Sequence, residues 1–551
     1  MRKRVTTDGL TVNAIAGTYV VTLGLHYAQL RPGCLGFAIQ REDHTESETY
    51  WMKGGKAFLA TKPHGLGPGG EVSSHEQPFQ TFQWADYTAK PDHSYTYRVI
   101  PLFGQPASLI DGQPVVVPIS TEAEHTGKHG VFFNRGAVAS QEYARRFLNQ
   151  DPEVAGPAAF EWLSRGLLEA MLEFIRRAKD ATFELHAAIY EFQWPEVLDA
   201  FHDAKGTGAR VHVIYDNIAG DGNPGPKNRQ AIDDANIKGL CTPREEGSIM
   251  HNKFIVLSKN SAAVAVWTGS TNVSENGIFG HLNVGHIVED AGVAADYRTY
   301  WTQLKGDPTP KDQRAWLGQN FPAPPAAFGT GVAPIFSPHS GDAVLEAYAA
   351  LAGSASRALF MSFAFGMAKD FQTVYDQTDG VLRFALMDKF GNGAAAAQAK
   401  IDITRIRKRP NVVVAVGHSI TMNAFDRWLK EKPGLKQAKN VRWVHTKVML
   451  VDPLGPSPVV LTGSANFSPA STDTNDENML VIKGDKRVAD IYLGEFMRTY
   501  SHYAFREAVA IAKENHEADF KPSDLVPSED WQKDYFVTGQ RKMRREYFAG
   551  F

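Results

Sequence analysis

The sequence predicts a multidomain protein, in which an N-terminal all-β sandwich precedes a duplicated, bilobal α/β region. Its length of 551 residues exceeds what one hydrophobic core usually serves, so several domains are expected. Short alternating strand patterns fill residues 1–125. From residue 126 onward strand patterns alternate with helix patterns, and the same order occurs twice, which indicates an internal duplication.

Residues 1–125 are predicted to form the sandwich. Strand-like stretches such as 17–24 and 94–100 are separated by loops rich in Gly, Pro, His and acidic residues. The stretch from Phe82 to Val99 resembles the later strands of a fibronectin type III module, in which a buried tryptophan and a corner tyrosine join two sheets. This resemblance implies that Trp84 and Tyr95 are core residues of the sandwich.

The α/β region divides into two predicted repeats, 126–325 and 326–515. A stretch rich in Pro and Gly, 320–334, interrupts the strand–helix alternation and is predicted to link them. The apolar strand 209–216 of the first repeat has its counterpart at 380–388 in the second. Residues 516–551 mix charges of both signs and are predicted to form a C-terminal tail packed on the surface.

Composition excludes several classes of function. The chain has 58 Lys and Arg against 61 Asp and Glu, a net charge of -3, which argues against a protein that mainly grips nucleic acid non-specifically. Cys34 and Cys241 are its only cysteines, so neither a disulfide framework nor a cysteine-based zinc site is expected. Without a long apolar run or a signal-peptide pattern, the sequence predicts a cytoplasmic protein, or one exported without a recognisable signal peptide.

The strongest motif is a doubled one. His251 and Lys253 form a His-x-Lys triplet in the first repeat, and His445 and Lys447 form another in the second. Such triplets alone occur by chance. Each of these histidines, however, is followed 18 residues later by Gly-Ser-x-Asn, an offset that chance does not readily reproduce twice. The polar residues that these turns supply are Ser270, Asn272, Ser464 and Asn466.

The spacing of the motif has a chemical meaning. On a strand, residues i and i+2 share a face, so the histidine and lysine of each triplet are expected to project together. The next strand can return alongside and end in the Gly-Ser turn. Two copies then bring two imidazoles, two ammonium groups and two amides around one cleft. Such a site fits a tetrahedral anion, whose oxygens are held while one imidazole attacks and the other protonates the leaving group.

This pattern resembles the phospholipase D superfamily, whose motif is His-x-Lys-x4-Asp followed by Gly-Ser-x-Asn. The second motif is complete, since Asp452 lies five residues after Lys447, and Glu477 in Asn475-Asp476-Glu477 matches the later carboxylate of the family. The resemblance implies a bilobal α/β fold with the active site between the lobes. It also implies a metal-independent phosphodiesterase that works through a phosphohistidine and needs no cofactor.

The first repeat departs from the family pattern at two positions. Ser258 takes the place of Asp452, and Gly285 is aligned with Glu477. His251 is therefore expected to lack a carboxylate partner, whereas Glu477 is expected to support His445. The family order would make His251 the nucleophile and His445 the general acid, and the reverse assignment stays open. A metal site of His251 with His281 and His286 is an alternative, but their irregular spacing favours loop and strand positions.

The motif specifies the bond and not the molecule. The balanced charge and the fused repeats with an added β-domain favour a phospholipid over a nucleic acid, and the Gly277–Gly280 turn is expected to present an apolar edge at the cleft mouth. We therefore expect a phospholipase D that hydrolyses phosphatidyl esters or transfers the phosphatidyl group, with peripheral membrane contact. A nuclease that cleaves DNA or RNA and a catalytically degenerate phosphate-binding protein are the alternatives. A monomer suffices, because the fused repeats complete the site in one chain.

Overall fold

The computed structural model describes most of the chain and divides it into a β-sandwich and two α/β halves, the predicted fold class. The predicted boundaries after residues 325 and 515 border residues outside the described set. That set comprises residues 1–63, 70–136, 140–148, 150, 152–220, 222–325, 327–390, 395–417, 444–514 and 523–551.

Two antiparallel sheets form the N-terminal sandwich. One has the strand order β1-β2-β3-β8, and the other has the order β10-β9-β4-β5, with β11 also paired to β9. A further two-stranded sheet joins β6 to β7. The strands are β1 (Arg2–Thr7), β2 (Leu10–Ala16), β3 (Val21–His26), β4 (Gly36–Asp43), β5 (Glu48–Trp51), β6 (Lys53–Gly54), β7 (Val72–Ser73), β8 (Gln83–Asp86), β9 (Ser94–Gln105), β10 (Ser108–Asp111) and β11 (Val115–Ser120).

The tryptophan in the core of the sandwich is not the one that the sequence predicted, whereas the predicted tyrosine is. Tyr95 is fully buried, and its hydroxyl accepts a hydrogen bond of 2.9 Å from the Lys90 backbone N–H, as a corner tyrosine does. Trp84 is only half-buried, where it packs against Phe79. The tryptophan buried between the sheets is Trp531, which comes from the opposite end of the chain.

The first α/β half is built on an eight-stranded sheet of order β12-β13-β19-β18-β17-β14-β15-β16. Its strands are β12 (His125–Thr126), β13 (His129–Phe133), β14 (Phe183–Ile189), β15 (Arg210–Asp216), β16 (Cys241–Arg244), β17 (Lys253–Lys259), β18 (Ala262–Gly269) and β19 (Val284–Val288). Its helices are α1 (Ser140–Phe147), α2 (Pro152–Ala155), α3 (Pro157–Ser164), α4 (Leu167–Arg176), α5 (Pro195–Gly206), α6 (Gly225–Asp234), α7 (Ala291–Lys305) and α8 (Pro310–Asn320).

The second half repeats this architecture with a seven-stranded sheet of order β20-β26-β25-β24-β21-β22-β23. In each half three neighbouring strands run parallel, β14-β15-β16 and β21-β22-β23, and the others pair antiparallel. The strands are β20 (Gly331–Ser337), β21 (Ala358–Phe363), β22 (Leu382–Met387), β23 (Val412–Val416), β24 (Val448–Val451), β25 (Val459–Gly463) and β26 (Glu477–Lys483). The helices are α9 (Ala343–Gly353), α10 (Lys369–Tyr375), α11 (Ala395–Arg407), α12 (Pro469–Asp473) and α13 (Lys486–Glu514).

The two halves share one hydrophobic core. Apolar residues from both sheets pack together with α7 and α13, which lie between them and contribute buried tyrosines such as Tyr297 and Tyr492. At one end of this core, residues preceding β17 and β24 make isolated parallel bridges to the opposite half, Met250 with Asp476 and Leu282 with Val444. The described helices include none that is both long and apolar enough to cross a bilayer.

Residues 523–551 of the predicted C-terminal tail contribute buried side chains to two cores. A 3₁₀ segment, Glu529–Tyr535, places Trp531 in the sandwich, where its indole N–H donates to the Cys34 carbonyl at 2.9 Å. The last helix, α14 (Gln540–Ala549), packs on β3 and buries Phe548 in the core shared by the two halves. The end of the described chain therefore completes the sandwich and connects it to the α/β region.

We expect Trp531→Ala to destabilise the sandwich strongly. The indole of Trp531 packs against Phe37 and Phe82, and its removal leaves a cavity between the sheets. Replacing a buried tryptophan by alanine costs about 3–5 kcal/mol. Urea denaturation followed by circular dichroism measures the free energy of unfolding. Lys533→Ala, in the same 3₁₀ segment but 64% exposed, is the matched control and should change it little. A loss below about 1 kcal/mol for Trp531→Ala would contradict the packing described here.

Candidate active site

The two predicted motifs meet at the junction of the two halves. His251 and His445 lie just before β17 and β24, rather than inside these strands as the sequence suggested, because the strands begin at Lys253 and Val448. Their imidazole rings lie 6.5 Å apart between centroids, at an interplanar angle of 74°. Residues separated by 194 positions are thus neighbours in one cleft.

Each Gly-Ser turn requires glycine at its first position, at the end of β18 in the first half and of β25 in the second. Gly269 has a φ of 138°, and a Cβ there would lie 2.2 Å from the Val284 carbonyl oxygen. Gly463 has a φ of 155°, and its Cβ would lie 2.3 Å from the Asn478 carbonyl oxygen. Such distances are far below van der Waals contact. The missing side chain lets each Gly-Ser turn pass close to the neighbouring strand, which brings the serine hydroxyl into the site.

His251 is held by a carboxylate from the opposite repeat. Its Nδ1 lies 2.8 Å from Oε2 of Glu477, which is almost completely buried. The Ser464 hydroxyl donates to the same oxygen at 2.6 Å. The pair therefore joins the first motif to the start of β26, and Nε2 is the ring nitrogen of His251 left for a substrate.

His445 has an amide partner in the mirrored arrangement. Its Nδ1 lies 2.9 Å from Oδ1 of Asn283, which also accepts a hydrogen bond of 2.8 Å from the Ser270 hydroxyl. The Asn283 amide group donates to the Gly277 carbonyl at 2.7 Å, and this bond fixes which amide atom faces the imidazole. Each histidine is thus bound by a side chain of the other repeat.

The expected partners of the two histidines were therefore wrong. Glu477 supports His251 and not His445. The alignment was also wrong by two residues, because Gly269 pairs with Gly285 across the sheet as Gly463 pairs with Met479. The residue equivalent to Glu477 is Asn283, since each follows its Gly-Ser glycine by 14 residues.

Asp452, expected to support an imidazole, does not reach the cleft. Its carboxylate accepts hydrogen bonds from the Ser356, Arg357 and Ala358 backbone N–H groups at 2.7–2.9 Å. These contacts fix the start of β21. The aspartate of the second motif therefore supports the fold.

The two lysines of the motifs are buried close to their histidines. Lys253 Nζ donates to the His251 carbonyl at 2.7 Å, and Lys447 Nζ donates to the His445 carbonyl at 2.6 Å. Burial lowers the pKa of Lys253 to about 8, although nearby carboxylates oppose the shift. Burial, with Lys253 as a neighbouring charge, lowers the pKa of Lys447 well below its ordinary value. An anion in the cleft would compensate both effects.

Asn272 and Asn466 occupy equivalent positions after the two Gly-Ser turns. Each is the last residue of its Gly-Ser-x-Asn motif, and each has a buried Oδ1 without a hydrogen-bond partner among the described residues. A buried amide in this condition is uncommon in folded proteins and is typical of a functional position. Because Oδ1 only accepts hydrogen bonds, the amide NH2 group of each side chain is the part that could donate to an anion.

The electrostatic environments of the two histidines differ. Burial lowers the pKa of His251 to about 4, against the opposing influence of Glu477. Burial also lowers the pKa of His445 well below its usual range, and Lys447 and other neighbouring cations lower it further. Burial alone would raise the pKa of Glu477, but His251, Lys253 and the Ser464 hydroxyl outweigh it and hold the carboxylate ionised.

The structure places two further residues beside the histidines: Tyr190, which the sequence analysis did not select, and His281, which it considered only as a metal ligand. Tyr190 packs edge-on against His251, and its ring also lies 5.0 Å from Lys253 Nζ. His281 lies 5.4 Å from His445 between ring centroids. Its position two residues before Asn283 would have identified it, had the repeats been aligned from their glycines.

The alternative metal site is not assembled. Both ring nitrogens of His286 are hydrogen-bonded elsewhere, to His129 and to the Tyr492 hydroxyl, each at 2.9 Å. Among the described residues, the group of three that could share an ion is instead Asp43, Glu46 and His93, in the sandwich.

The Gly277–Gly280 turn does not present the apolar edge that was expected. Ile278 and Phe279 are buried, and Phe279 packs against Phe160 of α3 and against Trp194. The turn, a single π-helical turn at Asn276–Gly280, instead anchors the loop that carries Asn283 to the core of the first half. Exposed apolar side chains occur instead before α3 in the chain, where Leu148, just after α1, is 76% exposed and Val154 of α2 is 73% exposed.

Comparison with solved structures gives likenesses of low score. A polyphosphate kinase from Porphyromonas gingivalis is 11% identical, with a TM-score of 0.36 over 56% of this chain, which spans 42% of the length of that protein. A phosphatidylserine synthase from Haemophilus influenzae Rd KW20 is 12% identical, with a TM-score of 0.42 over 65% of this chain and 92% of that one. The phospholipase D family member Nuc from Salmonella typhimurium is 22% identical, with a TM-score of 0.23 over 31% of this chain and 94% of that one.

Comparison of the sequence with protein families is more informative. No curated protein matches the chain. The family model described as "Cardiolipin synthase, PLD-like domain" matches residues 171–305 and 403–500. These two segments contain His251, Asn283, His445 and Glu477, the four residues of the crossed hydrogen bonds. The duplicated α/β region of this chain is therefore a phospholipase D-like domain.

Proposed function

We propose that the protein is a metal-independent phosphodiesterase of the phospholipase D type, which hydrolyses and transfers phosphatidyl esters through a phosphohistidine. The observation that carries this proposal is the pair of crossed hydrogen bonds. Each fixes the Nδ1 side of one imidazole and leaves Nε2 for the substrate, and the two rings lie 6.5 Å apart between centroids.

His251 is the proposed nucleophile. Its low pKa keeps the imidazole neutral at physiological pH, so Nε2 has a free electron pair for attack on phosphorus. As the N–P bond forms, the ring becomes positively charged. The ionised Glu477 at 2.8 Å from Nδ1 stabilises that charge, which supports this assignment over the reverse one.

His445 is the proposed general acid. An amide partner orients the ring without stabilising its protonated form as a carboxylate does, so the imidazolium readily gives its proton to the departing alcohol oxygen. The negative charge of the bound phosphodiester raises the pKa of His445, so that the ring takes up a proton from solvent before the reaction. Lys253, Lys447, Asn272 and Asn466 are proposed to hold the phosphoryl oxygens.

The second step releases the phosphoryl group from His251. An oxygen of water or of another alcohol bonds to phosphorus while its proton passes to Nε2 of His445, which became neutral in the first step. The N–P bond breaks, and its electron pair returns to Nε2 of His251. Water gives hydrolysis, and an alcohol gives a transferred ester. The same covalent species therefore serves both reactions.

Two observations favour a phospholipid as the substrate. The net charge of -3 does not favour a long polyanion. Leu148, just after α1, and Val154 of α2 are exposed, and α3, which follows them in the chain, packs on the turn that leads to His281 and Asn283. Exposed apolar side chains in this part of the first half suit contact with a lipid surface. A nuclease remains the second candidate, because the phosphodiester chemistry is the same, and a degenerate phosphate-binding protein is the third.

We expect substitution of the two histidines to block the reaction at different steps. With a p-nitrophenyl phosphodiester, whose leaving group needs little protonation, His445→Asn should release about one nitrophenolate per enzyme and then stall, while His251→Asn should give no burst. Steady-state turnover should fall by about 10²–10⁴-fold or more in each. Stopped-flow absorbance measures the burst, and digestion locates the acid-labile phosphate.

The wild-type protein should retain its activity in excess chelator. Undiminished turnover in either variant, or phosphate bound to His445, would overturn the assignment of roles. Absence of any turnover in the wild-type protein would favour the degenerate binder.

We expect Asn283→Asp to shift the pH profile to higher pH. A carboxylate beside Nδ1 would raise the pKa of His445 by about 1–3 units, so the protonated acid would persist at higher pH. For a phosphodiester with a poor leaving group, the alkaline limb of the kcat/KM profile should therefore move to higher pH. The p-nitrophenyl ester is the control, since its departure depends little on the acid. An unmoved alkaline limb would contradict the general-acid role of His445.

We expect phosphatidylcholine vesicles to be cleaved, with release of choline, and single-stranded DNA to remain intact. Added ethanol should divert part of the product to phosphatidylethanol, because the phosphohistidine accepts alcohols. Mass spectrometry of lipids and gel electrophoresis of labelled DNA measure the two activities. The double variant His251→Asn with His445→Asn controls for contaminating enzymes. Cleavage of DNA with intact lipid would select the nuclease.

A further inference from the structure

Two buried aspartates occupy equivalent positions in the two repeats. Asp216 ends β15, and Asp388 directly follows β22, the strand that corresponds to β15 in the second half. Their exposed fractions are 0% and 3%. Neither belongs to the His-x-Lys or the Gly-Ser-x-Asn motif. Burial of an ionised carboxylate is costly unless it is hydrogen-bonded, so the contacts of these two side chains indicate what they do.

Each carboxylate binds the backbone directly before a catalytic histidine. Oδ2 of Asp216 accepts a hydrogen bond of 2.8 Å from the N–H of Met250, the residue before the proposed nucleophile. Oδ1 of Asp388 accepts one of 3.1 Å from the N–H of Val444, the residue before the proposed general acid. The same contact is therefore made once in each repeat, on the segment that carries the imidazole.

The segments that carry the histidines lie outside the strands. β17 begins two residues after His251, and β24 begins three residues after His445. The other half binds these segments, since the His251 N–H donates to the Asp476 carbonyl at 2.9 Å and Val444 forms a bridge with Leu282. Each segment is thus bound by the opposite half and by an aspartate of its own half.

The two aspartates are ionised at neutral pH in spite of their burial. Burial raises the pKa of Asp216 to about 6, although its backbone hydrogen bonding and the charge of Lys253 oppose the shift. Burial also raises the pKa of Asp388 to about 6, against its backbone hydrogen bond and Lys389. A hydrogen bond to an ionised acceptor is roughly twice as strong as one between neutral groups, so each carboxylate fixes its segment more firmly than an amide would.

The position of each imidazole decides the rate of a different step. Nε2 of His251 must approach phosphorus in line for attack, whereas Nε2 of His445 must reach the oxygen that leaves and later the oxygen that enters. A displacement of about 1 Å costs about 10²-fold in rate. Movement of one segment should therefore impair mainly the step that its own histidine performs.

We propose that Asp216 and Asp388 are positioning residues for the two catalytic histidines, each acting through the backbone N–H that precedes its histidine. Asp216 sets the approach of His251 to phosphorus, and Asp388 sets the approach of His445 to the leaving and the entering oxygen. This inference rests on the proposed function, because it assigns the aspartates to the two steps of that reaction.

Replacement of each aspartate by alanine should slow a different step. With a p-nitrophenyl phosphodiester and enzyme in excess, single-turnover release of nitrophenolate measures the attack by His251. Asp216→Ala should lower this rate by about 10²-fold. Asp388→Ala should change it little, because this leaving group needs little protonation. Steady-state turnover of Asp388→Ala should nevertheless fall by about 10²-fold, since His445 no longer takes the proton of the entering water efficiently.

Asp216→Asn and Asp388→Asn provide the second comparison, in which the shape of the side chain is retained. The amide oxygen can still accept the backbone N–H but without a full charge. The impaired rate should therefore return to within roughly tenfold of the wild-type rate, each variant at its own step. These variants also decide the question if an alanine variant does not fold.

Asp43→Ala is the matched control, because Asp43 is a buried carboxylate of the sandwich that accepts hydrogen bonds from the backbone N–H groups of Thr45 and Glu46. It should lower the free energy of unfolding without changing either rate. Wild-type rates in the Asp216 and Asp388 variants, or equal losses of both rates in both asparagine variants, would overturn the positioning roles and leave the proposed function intact. A wild-type protein that releases no nitrophenolate would instead overturn the proposed function itself.

Discussion

The site depends on one constraint: each imidazole is bound by a side chain of the opposite repeat. A buried carboxylate is costly unless it is paired, so Glu477 needs Ser464, His251 and Lys253 around it. Ser464 belongs to the same half, but His251 and Lys253 reach Glu477 only when the two sheets pack together. The core between the sheets and the catalytic geometry are therefore one structure. The bridges of Met250 with Asp476 and of Leu282 with Val444 hold the same junction at the backbone level.

The two repeats have similar backbone structures but different side chains around their histidines. Strand order, the Gly-Ser turns and the serine contacts recur in both halves, yet one histidine has a carboxylate partner and the other an amide. A symmetric pair would give two imidazoles of similar basicity. Unequal partners give one ring that tolerates positive charge and one that releases a proton, which is the division of labour that a two-step phosphoryl transfer uses.

Much of this arrangement could be predicted from the sequence. The repeated offset from His251 to Asn272 and from His445 to Asn466 identified two copies of one motif, and the duplicated fold brings the two copies to one junction. The partners of the imidazoles were assigned wrongly, since hydrogen bonds that cross between repeats leave no local pattern. Trp531 fills the sandwich core from a segment remote in sequence, and periodicity carries no information about such long-range packing.

The placement of Trp531 also bears on how the chain acquires its structure during synthesis. The strands of the sandwich leave the ribosome before the α/β halves, but the indole that fills the space between their sheets leaves after both halves. Until then the sandwich exposes an apolar gap lined by Phe37 and Phe82, and the intervening α/β halves must fold while it waits. The sandwich is thus completed only after the α/β halves have been made, and a ribosome that stalls before Trp531 would leave it open to chaperones and proteases.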